Sequence, residues 1–441
     1  MTISDRRPGL DCPGPTAGDA CMAGFGAHNL RMRKNEWAWC LYDAANSAFS
    51  LIVMTTMFPV FYARFILPAD AAAGSATAGV GFANAAAGVI AALSAPLLGA
   101  LADRGNARKK GLALALSAGC VGTLLLSAVA PGAWFAALAV YALSVYSFTS
   151  GNVFYDAMLT DVTVPSRMDY LSGAGFAVGY IGSVIPFSLL LGMLAVFGET
   201  AGAVRGGFVL TALWWAALSM PLLLAVGTAP RKAQTAAVGS AVSELFGTFA
   251  SIWKNRKLRL FLLAYFLYID GVDTIVVMAV PYGAELGFGA KELIAIILLI
   301  QIVAFPCALA YGALASRFGA RRMIDCGIFA YALCVVIAAG IPLFASRSIR
   351  IALFLTLALI VAANQGGIQA LSRSFYGRMI PPEHAAQYFG VYNIFGKFAA
   401  VLGPTLVGIS GWLFGGAQYG ILSLAVLFAS GAWLLNRIDR D

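Results

Sequence analysis

Six residues, Gly99-Ala100-Leu101-Ala102-Asp103-Arg104, are followed by the basic group Arg108, Lys109 and Lys110. They return 213 residues further on as Gly312-Ala313-Leu314-Ala315-Ser316-Arg317, followed by Arg321 and Arg322. A second echo runs at an offset of 217 residues, where Pro165, Gly173 and Gly179 recur as Pro382, Gly390 and Gly396. Two echoes at nearly one offset, each set in apolar sequence, predict two tandem halves of similar build.

The halves are membrane bundles. With 60% apolar and 11% charged residues and a mean hydropathy of +0.83, the chain would present an insoluble surface to water, whereas in lipid such figures are ordinary. Apolar segments fall at about 37–66, 76–101, 110–130, 133–157, 170–197 and 206–228, then at 258–283, 292–316, 322–345, 350–372, 387–413 and 417–436. Within lipid each must be helical, because backbone groups find no water there. The expectation is an all-α integral membrane protein with twelve transmembrane helices in two six-helix halves. The first half is 37–228 and the second 258–436, with a cytosolic linker at 229–257 and short cytosolic tails at 1–36 and 437–441. The N-terminal tail is polar, rich in Gly and Pro and without the apolar core of a signal peptide, so it reads as disordered. Met22 and Met32 leave a later start open.

Of the 29 Lys and Arg residues, 23 fall on the side that holds both termini, five on the other, and Lys397 lies inside span 11. The positive-inside rule then predicts cytosolic termini in a bacterial inner membrane. The same scatter of short basic clusters between spans argues against nucleic acid as a partner of this chain with net charge +9. The partners expected are the lipid bilayer and a small-molecule solute, with the protein a monomer. Seven scattered cysteines, without CxxC spacing, and two isolated histidines, His28 and His384, predict neither disulfide framework nor metal site. A nucleotide-binding Gly-x4-Gly-Lys-Ser/Thr loop and a His-Glu-x-x-His pattern are both absent, so no cofactor, direct ATP drive or enzyme activity is expected. In the linker, Leu245, Phe246, Phe249, Ile252 and Trp253 share a helical face beside a basic run. That helix would either lie on the membrane surface or pack against the bundle.

The Gly-x-Leu-Ala-Asp-Arg stretch with its basic group resembles the signature between spans 2 and 3 of the major facilitator superfamily. Here the basic cluster sits one residue farther from Asp103 than is usual, and Ser316 replaces the Asp in the second copy. A narrower resemblance covers about residues 35–435. Asn35-Glu36-Trp37, Leu41-Tyr42-Asp43 and Ala45-Asn46-Ser47-Ala48-Phe49 resemble the opening of the vacuolar amino-acid effluxer family linked to autophagy, whose bacterial branch is called the unknown major facilitator. Ser372-Arg373-Ser374-Phe375 through Ile380-Pro381, and Gly396-Lys397 followed by Gly403-Pro404, resemble it too, while Ala44 stands where members often carry Trp. The resemblance implies the major facilitator fold, alternating access, a cavity lined by spans 1, 4, 7 and 10, and movement of small solutes, amino acids first. It also implies that span 11 supports the cavity rather than lining it, which makes Lys397 structural. A lipid translocator on the same fold is the alternative, and it would need a greasy lateral slot.

Polar side chains in lipid need a partner or a wet cavity. Asp43 and Asn46 share a face of span 1, and Asn364, Gln365 and Gln369 offer amides on span 10. These are the candidate substrate-binding residues, since amides both donate and accept, as the two ends of a zwitterion require. Asp270 and Asp273, three apart in span 7, are the candidate proton-coupling pair, with neutralisation of Lys397 as the competing reading. Asp103, Arg104 and Arg108 belong to a gate at the ends of spans 2 and 3. The 217-residue offset maps Asp156 onto Arg373 and Asp161 onto Arg378, predicting two ion pairs between the halves; bonds within one half are the competing reading. A reporter fused after Asp441, or inside 229–257, should report cytosol; a periplasmic signal from either fusion would reverse the assigned orientation.

Overall fold

The computed structural model describes residues 31–68, 70–72, 74–104, 107–227, 238–414 and 417–438. The first half comprises Lys34–Ile66 (span 1), Ser75–Arg104 (span 2), Arg108–Leu126 (span 3), Trp134–Val162 (span 4), Met168–Phe197 (span 5) and Ala201–Ala225 (span 6). After the linker helix, Val238–Lys254, come Arg256–Glu285 (span 7), Ala290–Phe318 (span 8), Ala320–Gly340 (span 9), Arg347–Met379 (span 10), Ala385–Phe414 (span 11) and Ala417–Leu435 (span 12). Eleven of these are long and apolar enough to cross a bilayer on their own, and the twelfth carries the shorter apolar stretch Tyr419–Leu435. Residues 1–30 and 439–441, most of the two predicted tails, lie outside the described residues.

Span 1 begins at Lys34, earlier than its apolar boundary suggests. Glu36 explains the difference: it accepts from the Arg33 backbone N–H at 2.8 Å, from Thr163 Oγ1 at 2.8 Å and from Arg167 Nη2 at 3.0 Å. A carboxylate with that many donors is satisfied in a buried place and caps the helix at the same time. Further along, Phe49–Met57 winds as a π-helix, with Thr56 Oγ1 donating to the Leu51 and Ile52 carbonyls. Such wide turns are rare and tend to mark functional positions.

The two sequence echoes meet in space. At the face that carries most of the basic residues, hereafter the basic face, span 2 packs on span 11 and span 5 on span 8. In the first seam a Cβ on Gly99 would strike the Ala386 carbonyl, and one on Gly390 would lie 2.7 Å from Pro96 Cα. In the second, a Cβ on Gly173 would lie 2.8 Å from the Ala308 carbonyl, and one on Gly312 would lie 3.0 Å from that of Asp169. Each seam thus joins one copy of the first echo to the opposite half's copy of the second. Glycine is needed at these points because backbone meets backbone.

The linker helix packs against the bundle, one of the two positions expected of it. Ile252 is buried, Phe249 is partly so, and Ser251 Oγ is 3.1 Å from Tyr388 Oη of span 11. Through this edge the helix packs on spans 2, 7 and 11, while Phe246 and Trp253 stay exposed. The side chain of Leu245 lies outside the described residues.

Gly99→Leu should therefore keep the basic face from closing. Overpacking of about 1–3 kcal/mol would shift the two-state population roughly 5- to 150-fold. Alkylation of a cysteine placed at Gln387, now buried in that seam, should accelerate by a similar factor.

Candidate functional site

A cavity of about 290 Å³ lies between the halves. Span 1 contributes Asp43, Asn46, Ser47 and Ser50, one helical face by their spacing, and span 4 contributes Phe148, Asn152, Tyr155 and Asp156 in the same way. Phe176 comes from span 5, and Tyr265, Ile269 and Asp273 from span 7. Span 10 supplies Gln369 and Arg373, and span 11 supplies Tyr392, Asn393, Gly396 and Lys397. Spans 1, 4, 7 and 10 thus line it, joined by Phe176 of span 5 and by span 11, which was expected only to support. Lys397 faces the cavity and lies close enough to Asp273 for their charges to interact.

Three other expected site residues are placed elsewhere. Asn364 donates to the Ile360 carbonyl at 2.7 Å and accepts from Tyr311 Oη, so its amide ties span 10 to itself and to span 8. Gln365, one turn before Gln369, is not among the lining residues. Asp270 is fully buried but outside the cavity, accepting from the Gly403 N–H at 2.9 Å. Three-residue spacing puts it on the same side of span 7 as Asp273, but its carboxylate is taken up by the backbone of span 11. Of the first-span pair, Asn46 donates to Asn152 Oδ1 at 2.8 Å, and its own buried Oδ1 has no partner.

Arg373 is the centre of the floor. Its Nη1 donates to Asp156 Oδ1 at 3.2 Å, its Nη2 to Asp43 Oδ2 at 3.5 Å and to the Ser172 carbonyl at 3.2 Å, and its Nε to Ser172 Oγ at 2.9 Å. The guanidinium also lies 4.6 Å from the Trp39 ring, 4.7 Å from Phe176 and 5.3 Å from Tyr155. Flat, weakly hydrated guanidinium is suited to such a cage of rings and carboxylates. Gly175 leaves room for it, since a Cβ there would lie 2.8 Å from Trp39 and 3.3 Å from Arg373 Nη2. The Asp156 and Arg373 side chains, matched by the 217-residue offset, are in contact. Sequence reasoning missed Trp39, Ser172 and Phe176, although Trp39 lies one helical turn before Asp43 and Phe176 one turn after Ser172.

Below this floor lies a second polar layer. Arg108, with no exposed surface, grips Asp103 at 2.6 Å and Asp161 at 3.0 Å, and donates across the seam to the Pro382 carbonyl at 2.7 Å. Asp103 accepts from the Ala386 and Gln387 N–H groups at 3.3 and 2.9 Å, so a carboxylate of one half caps a helix of the other. The expected pairing of Asp161 with Arg378 does not form. Asp161 is held within its own half by Arg108, and Arg378 reaches Asp169 at the start of span 5, where Ser374 Oγ also donates at 2.5 Å. Among the described residues Ser316, in the place of Asp103, bonds only to its own turn at Ala313 and supplies no equivalent carboxylate cap to the second seam. The Arg104 side chain lies outside the described residues.

Comparison with known proteins adds the lineage. A family profile described as Vacuole effluxer Atg22 like matches residues 73–441. YxiO of Bacillus subtilis (strain 168), an MFS-type transporter, is 39% identical over 418 residues, covering 93% of this chain and 96% of that protein. Autophagy-related protein 22-1 of Aspergillus niger is 26% identical over 291 residues, or 61% of this chain and 47% of that relative, so only about half of its length is spanned. Among solved structures, the human organic anion transporter MFSD10 superposes with a TM-score of 0.68 at 16% identity, covering 91% of this chain and 98% of its own. The proton:xylose symporter XylE superposes at 0.70 with 12% identity, covering 90% and 94%. At these identities the likeness shows the fold, that of the major facilitator superfamily.

Asp103→Asn should weaken the closed basic face, because Arg108 loses a buried counter-charge and span 11 its charged cap. Breaking a buried pair costs about 3–5 kcal/mol. The variant should unfold at a lower temperature in detergent and expose the span 2–span 11 seam to water-soluble alkylating reagents.

Proposed function

Because this chain belongs to the Atg22-like vacuole effluxer family of major facilitator transporters, we propose that it moves a small zwitterionic solute of the amino-acid class by alternating access. The observation that carries this reading is the charge pattern of the cavity: Arg373 and Lys397 supply fixed positive charge, while Asp43, Asp156 and Asp273 supply negative charge. Zwitterions present both signs a few ångströms apart. A carboxylate suits Lys397 or Arg373, and an ammonium suits Asp43 with the unpartnered Asn46 Oδ1 beside it. Asn393 and Gln369 add amides to the same wall. Tyr265 and Tyr392, stacked with centroids 4.2 Å apart, give the cavity an aromatic side for an apolar substituent.

The energy source in this reading is a proton gradient. The basic bias of one face supports placing both ends in the cytosol of a bacterial cell. A lipid translocator is the less favoured reading. An apolar hollow does lie between spans 1, 2 and 4, lined by Tyr62, Phe82 and Phe135 among others, but it shares no lining residue with the polar cavity. A headgroup and its tails would have no common path there.

Counterflow in proteoliposomes decides between them. At least one labelled amino acid should exchange, with competition by free amino acids but not by their N-acetyl or amide derivatives. Lys397→Gln and Arg373→Gln should each reduce that exchange at least tenfold, the loss of about one charge-assisted contact of roughly 1.5–3 kcal/mol. Scrambling of labelled lipid without amino-acid flux would overturn the reading.

A further inference from the structure

Arg373 is held by the half it does not belong to. All its described partners, Asp43, Asp156, Ser172 and the rings of Trp39, Tyr155 and Phe176, precede the linker. If the halves rock apart at the basic face, Arg373 leaves with spans 7–12 and loses these contacts together. Asp43 and Asp156 then remain on spans 1 and 4 with no cation between them.

The rest of the cavity does not supply one. Asp273 and Lys397 lie on spans 7 and 11 of the same half and travel as a unit. The other titratable groups around the two acids are phenols and one thiol: Cys40 and Tyr42 on span 1, Tyr155 on span 4, Tyr180 on span 5, Tyr265 on span 7 and Tyr392 on span 11. None of these is a cation in either protonation state. Two facing carboxylates left without their cation repel, and binding one proton relieves that repulsion.

We propose that Asp43 and Asp156 form a proton site that alternates with Arg373: the pair holds the guanidinium while the basic face is closed and holds a proton while it is open. This rests on the proton-coupled transport reading and names two carboxylates whose protonation follows the stroke. The step is a proton transfer alone, from water at the open basic face to a carboxylate oxygen, and closure reverses it, the proton returning to that water before Arg373 re-enters. Acid at the basic face therefore favours the open state.

The test needs no substrate, so its failure is separable from a wrong solute. Spin labels at Lys110 on span 3 and Phe318 on span 8, both exposed at the basic face, report its opening by double electron–electron resonance in lipid nanodiscs. The open fraction should rise roughly tenfold as pH falls from 8 to 5, the shift given by a bias of about one proton's worth of pairing. In Asp43→Asn/Asp156→Asn the response should vanish. His384→Gln, at an exposed position ahead of span 11, should leave the response intact. An unchanged profile in the double variant, or no response in the wild type, overturns the proposal. A second measurement covers misfolding of the double variant. Arg373→Gln should show an infrared protonated-carboxyl band at pH 7 that the wild type lacks and that Asp43→Asn/Asp156→Asn removes. No band in Arg373→Gln also overturns it.

Discussion

A guanidinium of one half, buried among the rings and carboxylates of the other, is the contact around which this molecule closes. Arg373 cannot shed its charge in any ordinary solvent, so a place in the membrane interior must surround it with acceptors and aromatic faces. Those groups come from spans 1, 4 and 5, and the glycine at 175 exists in that arrangement to give the side chain space. The cavity sits directly on this contact. Its position, its sign pattern and its closure toward the basic face all follow from where Arg373 is held.

The closure has two different physical components. Backbone seams at Gly99 with Gly390 and at Gly173 with Gly312 set how near the halves can come. Ion pairs and a helix cap, Asp103 with Arg108 and the start of span 11, and Asp169 with Arg378, set how strongly that approach is favoured. Steric contact acts over a fraction of an ångström, whereas charge acts over several. Both are present in each seam, but unequally, because Ser316 replaces the capping carboxylate in one of them. The repeat gives two seams of similar build, and Ser316 makes them unequal.

Much of the frame was legible in the sequence. Twelve helices follow from apolar runs of membrane length, and the halves from echoes whose residues turn out to touch one another across the seams. The site was legible in part. Residue spacing tells which side chains share a helical face, but not which face meets water. Asn364 sits on a polar face of span 10 like Gln369, yet its amide is taken up by Ile360 and Tyr311. Asp270 likewise turns toward the Gly403 backbone. Offset matching assumed that equivalent residues meet; that pairs Asp156 with Arg373 but fails for Asp161, because a closer cation, Arg108, lies within its own half. Lys397 was assigned to a supporting span because resemblance describes an average member of the superfamily, and this chain departs from it.

The linker helix has a mechanical consequence. It rests on span 2 of the first half and on spans 7 and 11 of the second, fastened to the latter by Ser251 and Tyr388 and by buried Ile252. A strap laid across one side of a hinge makes the two strokes of a rocking cycle unequal. Opening the basic face must peel the helix from one of its supports, and closing restores that contact. The helix thus adds its own packing to the shut basic face and withdraws it from the open one.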